Sequence, residues 1–272
     1  MARLLNGLEL QGFIQERQAR QVRNLRQEHG IIPKLCIIVS DQASPVIHTY
    51  IRMKQRYADD TEISMEVRSV PFAEIPAAIR AANEDEAIQG VILQLPIDDP
   101  TKTDEYCNLI SPAKDIDGLG TGAFYPSATA QAVDWLLAGY NVSLEGKHIT
   151  IVGNGKLVGG PLSRLWKSQG FAVTVLDEHS ADVDEVLRMS DIIVSAAGVP
   201  RLVKSEQIKT GAVVVDAGTT SENGVIVGDV EESVRDRSDV TITPIKGGVG
   251  PLTYTVLFDH LIEACLRLVG KL

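Results

Sequence analysis

The chain of 272 residues is short of cysteine, and its three, Cys36, Cys107 and Cys265, lie far apart and are odd in number. That argues against a disulfide framework and fits a reducing cytoplasm. The five histidines (His29, His48, His148, His179, His260) show no zinc-ligand spacing with one another or with the cysteines, so no metal site is expected. No apolar run approaches the length that spans a bilayer. The opening "MARLLNGLEL" turns polar before any sustained apolar stretch, so no signal peptide is expected either. Repeats and low-complexity tracts are lacking. Basic residues are the scarcer charge: 26 Lys and Arg against 36 Asp and Glu give a net charge of −10. Such a chain is poorly suited to nucleic acid or an anionic membrane, although local positive groups can still hold a small anionic ligand.

What is present reads as an ordinary globular composition, 44% apolar and 23% charged, at a length comfortable for two domains. Short apolar runs alternate with helical periodicity. Strands are expected at 35–40, 63–70 and 90–96, and helices at 10–29, 47–58, 74–85 and 103–110, the last with Thr103 as N-cap. Arg17, Arg20, Arg23 and Arg26 recur every three residues and read as a solvated helix face. The segment 111–125, "SPAKDIDGLGTGAFY", lacks periodicity and is the candidate boundary, followed by a linking helix over 129–141. The second half repeats the alternation, with strands at 148–153, 171–177, 191–198, 211–218 and 240–245. Helices fall at 157–170 and 182–189, and over 247–269 a glycine turn feeds a long amphipathic helix, 252–269. The expected fold class is α/β: an N-terminal βαβ domain and a Rossmann-like, doubly wound parallel domain.

Chemistry-bearing residues fall at the ends of these elements. "IVGNGKLVGG" (151–160) places Gly153, Gly155 and Gly159 between a strand and a helix, as G-x-G-x-x-x-G. Glycines let backbone N–H groups approach a pyrophosphate, and the helix N-terminus adds partial positive charge. The spacing is one residue longer than the usual fingerprint, and a strand–helix turn without a ligand is the competing reading. Asp177, at the end of the next strand, is placed to bind ribose hydroxyls. In the first half, Tyr50 and Lys54 share a helix face at i and i+4. Gln94 ends a strand, and Asp115 and Asp117 lie in the loop "KDIDG". Taken singly, these read equally well as packing, a solvated lysine, a strand cap and a closed turn.

In combination, Y-x-x-x-K, "LQLP", "KDIDG", the glycine turn and "TPIKGGVGPLT", in this order, resemble the bifunctional methylenetetrahydrofolate dehydrogenase/methenyltetrahydrofolate cyclohydrolase family over nearly the whole chain. The resemblance implies a folate-binding catalytic domain from 1–122 plus 252–272, and a dinucleotide-binding domain over 123–251. It implies a tetrahydrofolate substrate, NADP or NAD as cofactor and a homodimer, for which either a parallel-sheet edge or the strand-like "GVIVGDV" (224–230) could pair across subunits. By the same likeness Lys54 handles protons, Gln94 orients it, Tyr50 stacks on the folate and Asp117 accepts hydrogen bonds from the pterin. Gly248, Gly250 and Pro251 shape the substrate loop. Gly153, Asn154, Gly155, Lys156, Val158, Gly159, Asp177 and Thr219 are the cofactor-binding set. A free lysine, with a pKa near ~10.4, is a poor base at neutral pH, so burial beside a cationic substrate has to lower it.

The sequence departs from the family at four places. Asn154 and Gly155 stand where an arginine and a serine commonly meet the 2′-phosphate of NADP, and Asp177 would repel that phosphate. Charge therefore favours NAD against a family default of NADP, with Lys156, His179 or Ser180 as compensating groups. "PSATAQ" (126–131) lacks the family's cysteine, second proline and glycine. Ile47 replaces a serine, and Lys246 a proline. Two other functions fit less of the pattern: an oxidoreductase acting on another small substrate, and a dinucleotide-sensing module that has lost turnover.

Overall fold

The computed structural model describes residues 1–222 and 225–271. The chain opens with β1 (Arg3–Leu4) and α1 (Gly7–His29), and continues β2 (Lys34–Ser40), α2 (Pro45–Asp60), β3 (Ser64–Val70), α3 (Ile75–Glu84), β4 (Gly90–Leu93), α4 (Thr103–Cys107) and α5 (Ala128–Gly139). Then follow β5 (Ile149–Val152), α6 (Gly159–Ser168), β6 (Val173–Leu176), α7 (Val183–Met189), β7 (Ile192–Ser195), β8 (Val213–Asp216), β9 (Thr220–Glu222), β10 (Val225–Val227), β11 (Thr241–Ile242) and α8 (Val249–Leu268). Two compact units result, one of Gly12–Ala128 with Tyr254–Leu272, the other of Met1–Gln11 with Thr129–Thr253.

In the first unit, β2 lies between β3 and β4 in an all-parallel sheet. Its run "LCIIVS" is apolar on both faces, as a covered central strand requires. The buried stripe of α3, Ile75, Ile79 and Ala82, packs on Cys36, Ile38, Val91 and Leu93. Burying each isoleucine contributes about 2–3 kcal/mol. The buried residues of α2 are Ile47, Ile51, Lys54, Tyr57 and Ala58, one helical face that contains a lysine. Of the arginine face on α1, Arg17 pairs with Asp259, and Arg23 and Arg26 with Glu62, all at exposed positions. Thr103 is not an N-cap: it is the first residue of α4, behind a 3-10 turn whose cap is Asp99, accepting from the Thr101 N–H at 2.9 Å.

The second unit holds a six-stranded parallel sheet, β1-β11-β8-β7-β5-β6. The strand β5 has β6 on one side and β7 on the other, so the strand order reverses beside it, the switch point where open α/β sheets bind ligands. Residues 1–11, expected with the first domain, group here. Arg3 pairs opposite Thr241 and Leu4 opposite Ile242, and the Leu8 N–H donates to the Gly247 carbonyl at 3.0 Å. Two strand residues are too few to show alternation in a sequence. Residues 123–128 group with the first unit because the Phe124 and Ala128 N–H groups donate to Pro112 and Asp117 carbonyls. Of the stretch expected as a strand over 224–230, Gly224 lies outside the described residues, and Val225–Val227 pairs antiparallel with β9.

Candidate active site

Lys54 sits in the buried stripe of α2 and is only 9% exposed. Its Nζ donates to Gln94 Oε1 at 2.8 Å. Gln94 follows β4 and continues its ladder through an N–H donated to the Ile38 carbonyl at 2.8 Å, while its Nε2 donates to the Leu95 carbonyl. Its amide is therefore fixed from both ends. Burial lowers the Lys54 pKa, and the nearby Asp117 charge partly restores it. Asp117 is half-buried, and desolvation outweighs the pull of Lys54 and pushes its carboxyl up to about 6. An amine held toward its neutral form and a carboxyl held toward its acid form in one environment are a pair suited to proton transfer and to recognising polar N–H groups. Tyr50 is half-buried one turn before Lys54 on the same helix face.

The loop "KDIDG" divides its labour. Lys114 donates to the carbonyls of Ala82, Asn83 and Asp85 at 3.2, 2.8 and 2.8 Å, which caps the C-terminal turn of α3. Asp115 is 1% exposed and accepts the N–H groups of Gly118 (3.0 Å) and Gly120 (2.7 Å), so it builds the turn. Gly118 has φ +68, and a side chain there would strike Tyr125 and Pro126 backbone. Ile116 is fully buried, and its carbonyl accepts from His260 Nδ1 at 2.7 Å. Of the two aspartates, Asp115 is engaged by the turn, whereas the Asp117 carboxylate accepts no hydrogen bond from the described residues. His260, stacked on Tyr125 at 4.8 Å and held toward its neutral form by desolvation, carried no signal in the sequence. Its partner is 144 positions away.

In the second unit the turn after β5 borders a cavity of about 440 Å³. Gly153, Asn154, Gly155 and Asp177 line it, with Leu176, Leu187, Val199, Leu202 and Val203 supplying apolar walls. Gly153 has φ +97, and a Cβ there would lie only 2.6 Å from the Ala196 carbonyl oxygen, so glycine alone lets the two backbones approach. A Cβ on Gly159 would overlap the Gly153 carbonyl oxygen, so this glycine seats the start of α6 on the turn. The cradle has the shape a dinucleotide phosphate needs, and its residues fit that group. Asp177 is exposed and accepts the His179 N–H (3.0 Å) and the Ser180 hydroxyl (3.0 Å), which hold its carboxyl below the usual range. Lys156, Val158, Gly159 and Thr219 do not line this cavity. Gly248, Gly250 and Pro251 stand at the start of α8. The Gly248 carbonyl lies against Gly7, and the Pro251 carbonyl accepts from Gln11 Nε2 at 3.2 Å. Among the described residues, no group of three or more His, Cys, Asp or Glu could hold a metal ion, and no helix is long and apolar enough to cross a membrane.

Two buried carboxylates in this unit went unread in the sequence. Asp216 pairs with Arg235 at 3.0 Å and accepts the N–H groups of Asp229 and Val230; desolvation, opposed by Arg235, raises its pKa. Asp229, just after β10, is fully buried, and its Oδ2 accepts the hydroxyl of Ser195 at the end of β7 at 3.0 Å.

Comparison with known proteins gives a consistent picture. A model described as tetrahydrofolate dehydrogenase/cyclohydrolase, catalytic domain, matches residues 5–117. Another, described as tetrahydrofolate dehydrogenase/cyclohydrolase, NAD(P)-binding domain, matches 127–269. The bifunctional protein FolD of Lactobacillus acidophilus is 34% identical over 286 residues, which span 100% of both chains. The crystal structure of the bifunctional enzyme FolD, a methylenetetrahydrofolate dehydrogenase/cyclohydrolase from Campylobacter jejuni, is 30% identical, with a TM-score of 0.91 over 98% of this chain and 100% of that one. The methylenetetrahydrofolate dehydrogenase-cyclohydrolase of Trypanosoma brucei, solved with NADP and an inhibitor, is also 30% identical, with a TM-score of 0.91 over 98% of each chain.

Proposed function

The chain belongs to the tetrahydrofolate dehydrogenase/cyclohydrolase family, its second half being an NAD(P)-binding domain, and we propose from this that it carries out both of the family's reactions. In the first, 5,10-methylenetetrahydrofolate loses a hydride to NAD(P)+ and becomes the 5,10-methenyl cation. In the second, water adds to that cation and the ring opens to 10-formyltetrahydrofolate, releasing a proton. The hydride step needs alignment more than it needs a base. The hydrolytic step needs a proton acceptor, and this is the role of Lys54.

The observation that carries the reading is Lys54 itself, an amine in an apolar helix stripe with its Nζ fixed on Gln94. Desolvation favours the neutral amine, and a cationic substrate beside it favours it further, so both effects act toward the form that can accept a proton. Gln94 accepts one N–H and thereby sets the direction of that lone pair. Asp117 accepts N–H groups of the pterin, a charge-assisted pairing. Tyr50 lies along the folate, and Gly248, Gly250 and Pro251 belong to the substrate loop.

We assign NAD as the preferred cofactor. Asp177 is ionised at the end of β6, held by its own turn and bordering the cavity, where it favours two ribose hydroxyls over a phosphate dianion. The Ser180 hydroxyl is committed to Asp177 and is not spare for a phosphate. Purified protein given methylenetetrahydrofolate with NAD or with NADP, followed by methenyl absorbance and its decay, tests both claims. Turnover with neither nucleotide refutes the enzymatic reading. A higher kcat/KM with NADP refutes the cofactor assignment alone.

A further inference from the structure

One wall of the dinucleotide cavity has no side chain from the glycine turn and is instead held from behind. Residues 196–203 follow β7 and contribute Ala196, Ala197, Val199, Leu202 and Val203 to the lining. This stretch is neither helix nor strand, and four of its backbone N–H groups bond to residues 228 and 229. The Arg201 N–H donates to the Gly228 carbonyl at 3.3 Å and the Val203 N–H to the Asp229 carbonyl at 3.0 Å. The N–H groups of Ala197 and Gly198 donate to Asp229 Oδ2 at 2.7 and 3.1 Å. The Ser195 hydroxyl adds a third donor to the same oxygen at 3.0 Å. Oδ1 has no partner among the described residues.

Two successive N–H groups ending at a residue with φ +69, here Gly198, form an anion-binding concavity. In this protein the concavity is filled by the protein's own carboxylate. A cofactor phosphate is thus directed to the turn at 153–155, while the wall keeps only its apolar side chains toward the cavity. Gly218 is the reason a carboxylate reaches this point, since a side chain there would overlap Asp229. Asp229 is held in turn by Asp216, which accepts its backbone N–H at 2.9 Å.

Asp177, in the same cavity, marks the ribose of the adenosine half, so the apolar wall next to it faces the adenine ring. We propose that Asp229 is a positioning residue for dinucleotide binding, its carboxylate fixing the 196–199 wall against which the adenine ring lies. The inference rests on the proposed NAD(P)-dependent activity and names a determinant of cofactor affinity within it.

Asp229→Asn is the test, because it keeps the shape and one acceptor oxygen but removes the charge shared by three donors. Neutral bonds in place of charge-assisted ones should weaken binding of NAD roughly tenfold. ADP-ribose, titrated against the intact protein by calorimetry, should lose the same factor. The cyclohydrolase kcat/KM, measured on methenyltetrahydrofolate without nucleotide, should stay within about twofold, since Lys54 and Asp117 belong to the other unit. Equal nucleotide affinity in both proteins would overturn the proposal. So would a loss for NAD that ADP-ribose does not share, or a parallel fall of melting temperature and both activities, which marks a purely structural residue. Wild-type protein that binds no nucleotide would overturn the proposed function, and this inference with it.

Discussion

Replacing Asp117 by asparagine should make the protein more stable and worse at holding folate. The carboxyl is shifted from an ordinary 3.8 to about 6, chiefly by desolvation. At pH 7 the folded chain therefore carries a charge that its surroundings disfavour by roughly two pKa units, which amounts to about 3 kcal/mol at 1.36 kcal/mol per unit. The penalty is present above pH ~6 and fades as pH falls through that value toward the unfolded one. Asp117→Asn, uncharged throughout, should gain roughly 1–3 kcal/mol at neutral pH, and the gain should vanish in acid. Partial exposure sets the lower end of that range. Folate affinity should move the other way. An amide offers one acceptor oxygen without charge, and exchanging a charge-assisted bond for a neutral one costs about 1–2 kcal/mol, roughly tenfold in Kd. Wild-type protein should show the same dependence through pH. A carboxyl of pKa about 6 is about 91% ionised at pH ~7 and about 9% at pH ~5, so affinity for tetrahydrofolate should fall about tenfold over that interval. The variant should stay flat. Denaturant midpoints and anaerobic fluorescence quenching, each run across pH, read the two arms. Wild-type affinity that does not change between these pH values, or a variant that binds folate as tightly as wild type, would refute the reasoning.

Other expectations follow from single contacts. Lys54→Met should abolish methenyltetrahydrofolate hydrolysis while the hydride step falls less, because only the former needs the amine; a wild-type hydrolysis rate in the purified variant would dismiss its role. Arg235→Met should destabilise the protein by about 3–5 kcal/mol in denaturant titration, since Asp216 would be left as a buried charge without its ion partner. Gly159→Ala should eliminate nucleotide binding by calorimetry, because its methyl group cannot share space with the Gly153 carbonyl.

The alternation of short apolar runs with helical periodicity was enough to read both parallel sheets, and most elements ended within two or three residues of expectation. β1 escaped because a two-residue strand has no period to detect. The site was legible as a set of residue types, yet "KDIDG" in sequence does not say which aspartate faces outward. The family likeness points to Asp117, and the bonds from Gly118 and Gly120 supply the physical difference between it and Asp115. Lys54 did leave a trace, since it falls in register with Ile47, Ile51 and Ala58 on the apolar stripe of α2. By contrast, His260, Asp229 and Arg235 act through partners that the chain reaches only after folding, and nothing in their local sequences marks those contacts. Buried polar groups of this kind are decided by tertiary satisfaction rather than by periodicity.

The grip of Lys114 on the last carbonyls of α3 also has a dynamic side. Helix ends are where native proteins open first, in small cooperative units well short of global unfolding. Here the terminal turn of a helix and the loop bearing Asp117 share one cation, so they should open and close as a single unit. Amide hydrogens of Ala81 to Asp85 and of Gly118 to Gly120 should then exchange with similar protection, and a bound pterin should slow both sets together. Fraying at α3 would loosen the folate site while both sheets remain intact, so on warming the substrate is released before the fold is lost.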